Sequence, residues 1–198
     1  MMYADDHQLY SAGKNVNEVQ STLNEEGKSI SGWYQNNQLQ GNLKKYQVLN
    51  IGSKQQRDKV LDVTMMNTCI KQDEVMKILG VSIDENLDFS HHVSTVCKSA
   101  AKRVGVLTRL RNMLPTQAKL KIYKTAILPI LTYCHTVWHH CKASDGRKLE
   151  RVQERALRTV YCNRTSDYET LLKWANLSTL FNRRLQDIAI LMFKVKHG

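Results

Sequence analysis

Near residue 88 the chain changes from short alternating apolar stretches to long stretches with an apolar residue every three or four positions. That longer spacing predicts α-helices with one buried face, so we expect the chain after Phe89 to be helical. The two clearest helices should run from about Val93 to Leu114 and from about Asp145 to Tyr161. Their predicted buried residues are Val93, Val96, Cys97, Ala100, Val104, Leu107 and Leu110 in the first, and Leu149, Val152, Ala156, Leu157 and Val160 in the second.

Two prolines and several weaker patterns complete the helical half. Pro115 suits the first turn of a helix running toward Cys141, and Pro129 should kink or interrupt that helix because it lacks a backbone donor. Further helices are predicted over about 167–175 and 178–197. The cluster Cys134, His135, His139, His140 and Cys141 lacks the paired spacing of structural zinc sites and lies in this helical pattern, so we interpret it as core packing.

Residues 1–88 predict a small antiparallel sheet with one helix. Asn15 and Glu18 resemble a capping box that begins a helix from about 15 to 39, with Gly27 as its weak point. Short strands are predicted over 46–51, 59–63, 69–70 and 75–83. The fold class is therefore α+β, with a boundary near residue 88 and a mostly α-helical region over 89–198.

The net charge of +11 comes entirely from the second half, because residues 1–97 are slightly acidic. Clustered Lys and Arg side chains bind nucleic-acid phosphates in a salt-dependent manner. On the two predicted helices the basic residues fall on outer stripes, although the same stripes also fit ordinary solvated faces. The candidate nucleic-acid-binding residues are Lys98, Lys102 and Arg109 on the first helix, and Lys148, Arg151, Arg155 and Arg158 on the second.

The five cysteines form no Cys-x-x-Cys pair and are odd in number, which indicates reduced, mostly buried thiols and not a disulfide framework. No run of 18 or more apolar residues and no apolar leader is present. The sequence therefore predicts an intracellular protein that does not use a membrane as a partner.

An adjacent pair of carboxylates, Asp5 and Asp6, follows Tyr3-Ala4 near the start of the chain. Apolar residues alternate on both sides of the pair, a pattern that predicts a short β-hairpin with the carboxylates at its tip. Two adjacent carboxylates repel each other, and a divalent cation such as Mg²⁺, which prefers oxygen ligands, relieves that repulsion and can bridge to substrate phosphates. The alternative is a solvated acidic turn.

Tyr3-Ala4-Asp5-Asp6 with Gln8-Leu9-Tyr10 resembles the metal-binding motif of reverse transcriptases from LINE-type (non-LTR, jockey-like) retrotransposons. The stretches that agree with this family in order and spacing are 30–33, 39–52 with Asn42 and Lys45, 77–84, 87–92, 127–133, Trp138 and 149–158. The resemblance implies the C-terminal part of such an enzyme from the Tyr-Ala-Asp-Asp motif onward. Residues 1–88 would be the end of the palm with its primer-grip hairpin, and 89–198 a helical thumb and connection region.

The resemblance also implies roles for single residues. Asp5 and Asp6 would hold Mg²⁺ and be catalytic, Lys45 would act at the nucleotide site, and Leu79, Gly80 and Val81 would grip the primer end. The partners would be an RNA template and a DNA primer. A further palm aspartate and the fingers would lie before Met1, so we expect no polymerase activity from these residues alone and count the upstream region as a possible partner.

Two departures from that reading stay open at the level of sequence. His7 follows the Asp pair where the family often has a short polar residue, a change that leaves the carboxylates intact. The chain could instead be a non-catalytic basic helical nucleic-acid-binding module, or the product of a decayed element.

Overall fold

The computed structural model describes residues 2–3, 6–66 and 68–197. Chain contacts divide into two compact units, Met1–Leu87 and Asp88–Gly198. The first unit contains every strand that the structure describes, and the second consists of helices and turns. The predicted α+β class is therefore confirmed, whereas the assignment of 1–88 to a palm and 89–198 to a thumb stays a prediction.

The first unit combines one long helix with three two-stranded antiparallel sheets among its described residues. Each sheet is a hairpin of consecutive strands, so no crossover connects them. A 3₁₀ turn covers Leu43–Lys45. The elements are β1 (Met2–Tyr3), β2 (Asp6–His7), α1 (Val16–Asn36), α2 (Lys54–Arg57), β3 (Val63–Met65), β4 (Thr68–Ile70), β5 (Val75–Ile78) and β6 (Val81–Asp84).

Helix α1 begins where the sequence predicts, because the Asn15 side chain accepts a hydrogen bond of 2.9 Å from the Glu18 amide. The helix packs against β3 along Gly27, which is buried. A Cβ on Gly27 would lie 3.3 Å from Met65 Sδ and 3.4 Å from the Thr64 carbonyl oxygen. Gly27 is therefore a position of close approach between helix and strand, which the sequence does not indicate.

The strand predicted over 46–51 does not form. Its backbone makes one isolated parallel bridge, between Val48 and Gln72, and the segment before it is the 3₁₀ turn capped by Asn42. Likewise, β3 starts only at Val63, so the predicted strand 59–63 is wrong except at its last residue. Alternation predicts that a segment can be a strand, but a strand also needs a partner along its whole length.

The second unit is a helical assembly in which α3 and α6 pack together. The residues of α3 that the structure buries include Val93, Val96, Ala100, Val104 and Leu107, five of the seven predicted. Cys97 is half-buried and Leu110 is exposed. The helices are α3 (Ser90–Arg109), α4 (Thr116–Ile122), α5 (Leu128–Thr132), α6 (Ala143–Tyr161), α7 (Tyr168–Ala175) and α8 (Leu180–His197).

Pro129 interrupts the helical run, as predicted. The segment Tyr123–Ile127 before it widens into a π-helical turn, in which the Leu128 amide donates to the Tyr123 carbonyl. The run ends at Thr132 and does not continue to Cys141. Residues 133–140 instead form turns around Trp138, which is fully buried and donates its indole N–H to the Tyr133 carbonyl at 3.1 Å.

A chain of hydrogen-bonded polar groups, buried at Tyr123 and Gln153 and half-buried at Tyr168 and Glu150, joins α6 to its neighbours. The Tyr123 hydroxyl donates to Gln153 Oε1 at 2.7 Å, and Gln153 Nε2 donates to the Tyr168 hydroxyl at 2.8 Å. Tyr168 in turn donates to Glu150 Oε2 at 2.6 Å, while Glu150 Oε1 accepts from the Phe181 amide at 2.9 Å. Burial and the Glu150 carboxylate raise the pKa of Tyr168, so its hydroxyl keeps its proton. These four hydrogen bonds form one continuous network, which fixes the positions of α6, α7 and α8 relative to one another.

Two further expectations concern thiols and membranes. All five cysteines are free, but Cys69 and Cys162 are exposed and the other three are only half-buried, so the prediction of mostly buried thiols is wrong. Cys69 lies on the short hairpin strand β4, on which Thr68 is also exposed and Ile70 is half-buried. Among the described helices, none has the length and apolar character to span a membrane.

Candidate metal and nucleic-acid sites

The strands β1 and β2 pair around the Asp motif. Tyr3 lies opposite Asp6, and Met2 lies opposite His7, so the backbone on both sides of the motif is antiparallel. The predicted metal ligand Asp5 lies outside the described residues, and only the backbone of Asp6 is described. The register places Asp6 on β2, directly before His7, the first residue of this strand whose side chain is described.

His7 fixes β2 to α1. Its Nδ1 shares a hydrogen bond of 2.6 Å with the Tyr34 hydroxyl, and the two rings stack with centroids 5.3 Å apart. Burial raises the pKa of Tyr34, which therefore stays protonated at neutral pH. Trp33 also lies beside His7, with ring centroids 6.0 Å apart, and its ring is 5.7 Å from that of Tyr34. From the sequence, His7 is only a departure from the family motif. In the structure, its contacts with α1 hold in place the strand that carries Asp6.

The donor chemistry of the motif suits a hard divalent cation. Two adjacent carboxylates supply only oxygen ligands, which is the set that Mg²⁺ prefers. Within residues 2–3, 6–66 and 68–197, no group of three or more His, Cys, Asp or Glu side chains could hold a metal ion. The assignment of Asp5 and Asp6 as metal ligands stays a prediction.

Lys45 ends the 3₁₀ turn Leu43–Lys45 and has an exposed side chain. The turn is held by Asn42, whose side chain accepts a hydrogen bond of 3.1 Å from the Lys44 amide. Asn42 and Lys45, the two family positions in this segment, thus belong to one local structure. The catalytic role of Lys45 stays a prediction.

The predicted primer-grip residues form the turn between β5 and β6. Ile78 pairs with Val81, and both residues between them have positive φ, 45° at Leu79 and 86° at Gly80. Two positive φ angles define the tight hairpin turn whose twist matches that of its strands. Gly80 therefore serves the turn and does not mark a bulge inside a strand. Leu79 is 43% exposed, while Val81 is buried at 5%, so the three residues present one apolar side chain outward.

Replacing Gly80 with alanine should destabilise the first unit by about 1 kcal/mol, because an L side chain is strained at its φ of 86°. Gly32 offers the matched control, since it lies inside α1 and a Cβ added there would have no neighbouring atom within 4 Å. Gly32→Ala should stabilise the helix by up to about 1 kcal/mol. Urea unfolding followed by circular dichroism measures both, and an unchanged midpoint for Gly80→Ala would contradict the turn assignment.

The predicted basic residues differ in whether their side chains form ion pairs. Lys98, Lys102 and Arg109 are exposed on α3, and Arg151 and Arg155 are exposed on α6. None of these five side chains makes an ion pair or hydrogen bond with another described residue. We call Lys98, Lys102 and Arg109 the α3 stripe.

The remaining two basic residues have intrahelical partners. Lys148 Nζ lies 2.7 Å from Asp145 Oδ1, and Arg158 Nη2 lies 2.7 Å from Glu154 Oε1. Arg158 also donates to the Arg164 carbonyl at 2.8 Å. The α6 charges are thus partly neutralised within the helix.

The His and Cys cluster of residues 134–141 does not converge on one point. His135 Nε2 lies 2.7 Å from Asp187 Oδ2, His139 faces the Phe181 ring, and His140 meets the Phe89 ring edge to face. The sequence interprets this segment as a continuous helix, which is wrong because the chain turns at Tyr133 and Cys134 has a φ of 49°.

Comparison with known proteins identifies relatives of one kind. The chain is 27% identical, over 94% of its length and 20% of the relative's, to the RNA-directed DNA polymerase from mobile element jockey of Drosophila melanogaster. It is 30% identical to the jockey polymerase of Drosophila funebris, over 56% of this chain and 13% of the relative. It is 24% identical to the probable RNA-directed DNA polymerase from transposon BS of Drosophila melanogaster, over 80% of this chain and 18% of the relative.

The chain thus spans about a fifth of the length of the curated relatives it matches. No protein-family model matches it. No solved structure matches it either. The relatives do not favour the alternative of a non-catalytic module, and they confirm the resemblance that the motifs indicate. The chain is homologous to a part of the RNA-directed DNA polymerases of jockey-like, non-LTR mobile elements.

Proposed function

We propose that this chain is a part of an RNA-directed DNA polymerase that carries out Mg²⁺-dependent nucleotidyl transfer in the complete enzyme. The observation that carries the proposal is the similarity to a jockey polymerase over 94% of the chain. The primer 3′-hydroxyl would attack the α-phosphate of an incoming nucleotide on an RNA template, with pyrophosphate as the leaving group. In this role the nucleic-acid partners are the RNA template and the DNA primer.

The chain's own residues would divide the work between them. Asp5 and Asp6 would hold Mg²⁺, which would neutralise phosphate charge and stabilise the attacking and leaving oxygens. His7, through Tyr34, fixes the strand on which Asp6 lies. Lys45 contributes a positive charge toward the phosphates of the nucleotide, and it can donate a proton to the leaving pyrophosphate.

Backbone groups of the hairpin turn would hold the primer, and basic side chains would hold the duplex. Leu79 and Gly80 form the turn that precedes Val81. Because Gly80 has no side chain, the backbone of the turn can come close to a sugar-phosphate backbone there. The α3 stripe contributes three exposed cations that bind phosphates without reading sequence.

We expect the isolated chain to be inactive. Clamping two oxygens between metal ions takes several carboxylates, and Asp5 and Asp6 are the two that the motif supplies. A further carboxylate and the upstream palm and fingers would come from another part of the complete polymerase.

The test is a chimera in which this chain replaces the matching segment of the Drosophila melanogaster jockey polymerase. Primer extension on an RNA template with Mg²⁺ is the measurement, with the isolated chain alongside. We expect extension by the chimera and none by the isolated chain. A chimera that binds template and primer as tightly as the jockey polymerase but does not extend the primer would contradict the proposal.

A further inference from the structure

Arg184 is buried in the helical unit, and no acidic side chain among the described residues forms an ion pair with it. The residue is 2% exposed, and its guanidinium carbon lies 5.7 Å from the centre of the Trp138 ring and 6.0 Å from that of Phe181. Its Nε and Nη1 atoms are buried and have no hydrogen-bond partner among the described residues. A buried charge is costly unless it is paired, and two ring faces offset only a part of that cost.

The first turn of α6 lies against this guanidinium. Nη2 is 3.8 Å from the position that a Cβ on Gly146, the fourth residue of α6, would take. Lys142 precedes the helix and gives it no side-chain cap, and its carbonyl accepts from the amides of Asp145 and Gly146. The amides of Ala143 and Ser144 have no acceptor within the described part of the chain, and both residues are exposed. Free amides at the start of a 19-residue helix attract anions.

The neighbouring side chains leave this place electropositive. His139 Nδ1 is buried without a described partner, and its ring lies 5.9 Å from that of Phe181. Burial, together with the charge of Arg184, lowers the pKa of His139. An anion beside the imidazole would counter both effects.

Two carboxylates lie nearby, and each has other partners. Asp145 accepts from the Ser90 hydroxyl at 2.8 Å and from Lys148 Nζ at 2.7 Å. Asp187 pairs with His135 at 2.7 Å. Neither forms an ion pair with Arg184. The guanidinium is therefore not neutralised by the acidic residues around it.

We propose that Arg184, the Ala143 and Ser144 amides and His139 form a binding site for a phosphate group. The guanidinium fork matches two oxygens of a phosphate, and the helix amides can bind a third. The site lies wholly within the helical unit and does not depend on the polymerase assignment. The phosphate can belong to a free ion or to the end of a nucleic-acid strand, and both sources present the same oxyanion.

The test uses the purified full chain. Calorimetric titration with inorganic phosphate, at constant ionic strength set by chloride, measures the free ion. A 5′-phosphorylated oligonucleotide and the same oligonucleotide without the phosphate measure the strand end. We expect Arg184→Gln to weaken binding of at least one phosphate probe tenfold or more. Arg183→Gln removes the same charge from the same turn of α8 and should change binding less than twofold.

A second variant tests the contribution of the helix amides and leaves the buried Arg184 in place. Ala143→Pro removes one amide donor at the first position of α6, where proline is well tolerated, and Lys142 already has the extended backbone that a following proline requires. It should weaken phosphate binding severalfold with unchanged helical content. Phosphate binding that is equal in the parent, Arg184→Gln and Ala143→Pro would overturn the proposal, as would the absence of binding by every probe to the folded parent.

Discussion

Changing both Asp5 and Asp6 to asparagine in the chimeric polymerase should reduce primer extension about a thousandfold. Metal ligation stabilises developing charge by several kcal/mol, and each 1.4 kcal/mol corresponds to a factor of ten in rate. Asparagine keeps the size of the side chain and removes the negative charge that holds the cation. Single-turnover extension rates at saturating Mg²⁺ provide the measurement.

The control for this variant is a second adjacent acidic pair in the same unit. Glu25 and Glu26 are exposed on α1, so Glu25→Gln/Glu26→Gln removes the same charge without touching the motif. We expect that variant to extend primers at the parent rate. The affinity for template and primer should be unchanged in both variants, since phosphate contacts are assigned to other residues. A double asparagine variant that retains most of its activity would remove Asp5 and Asp6 from the catalytic centre.

The helices that carry the basic residues could be predicted because their signal is local. In α3 the spacing of Val93, Val96, Ala100, Val104 and Leu107 specifies one buried face, and the structure buries all five. Lys98, Lys102 and Arg109 then have to lie outside that face. The exposure of the α3 stripe thus follows from the sequence, whereas its role in binding does not.

The irregular segments could not be predicted because their structure depends on distant residues. Residues 46–51 alternate like a strand, yet within the described part of the chain their backbone makes a single bridge, between Val48 and Gln72. The segment after Thr132 continues an apolar pattern, but the burial of Trp138 and the turn at Cys134 end the helix. Spacing describes one element at a time and cannot say which surface a side chain will meet.

The contacts that position residues at the candidate sites could not be predicted from the sequence either. His7 meets Tyr34, 27 positions later, and Arg184 lies against Gly146, which precedes it by 38 positions. Neither pair has a spacing that marks a motif. A buried arginine is visible only when the elements around it are assembled, and for this reason the phosphate site has no counterpart in the sequence interpretation.

Neutralising the α3 stripe should weaken binding to a nucleic-acid duplex about a hundredfold at 0.1 M salt, because each phosphate contact contributes about 0.9 to the slope of log affinity against log salt. The variant is Lys98→Gln/Lys102→Gln/Arg109→Gln in the isolated chain, measured by fluorescence anisotropy between 50 and 200 mM salt. Its slope should be shallower by about 2 to 3.

Lys148→Gln/Arg158→Gln is the control, since Asp145 and Glu154 already pair with these two residues, and it should change the slope by less than about 1. Losses in proportion to the charge removed, three charges in the first variant and two in the control, would mean that binding follows net charge and not the exposed stripe, and the case for α3 as a nucleic-acid contact would then fail.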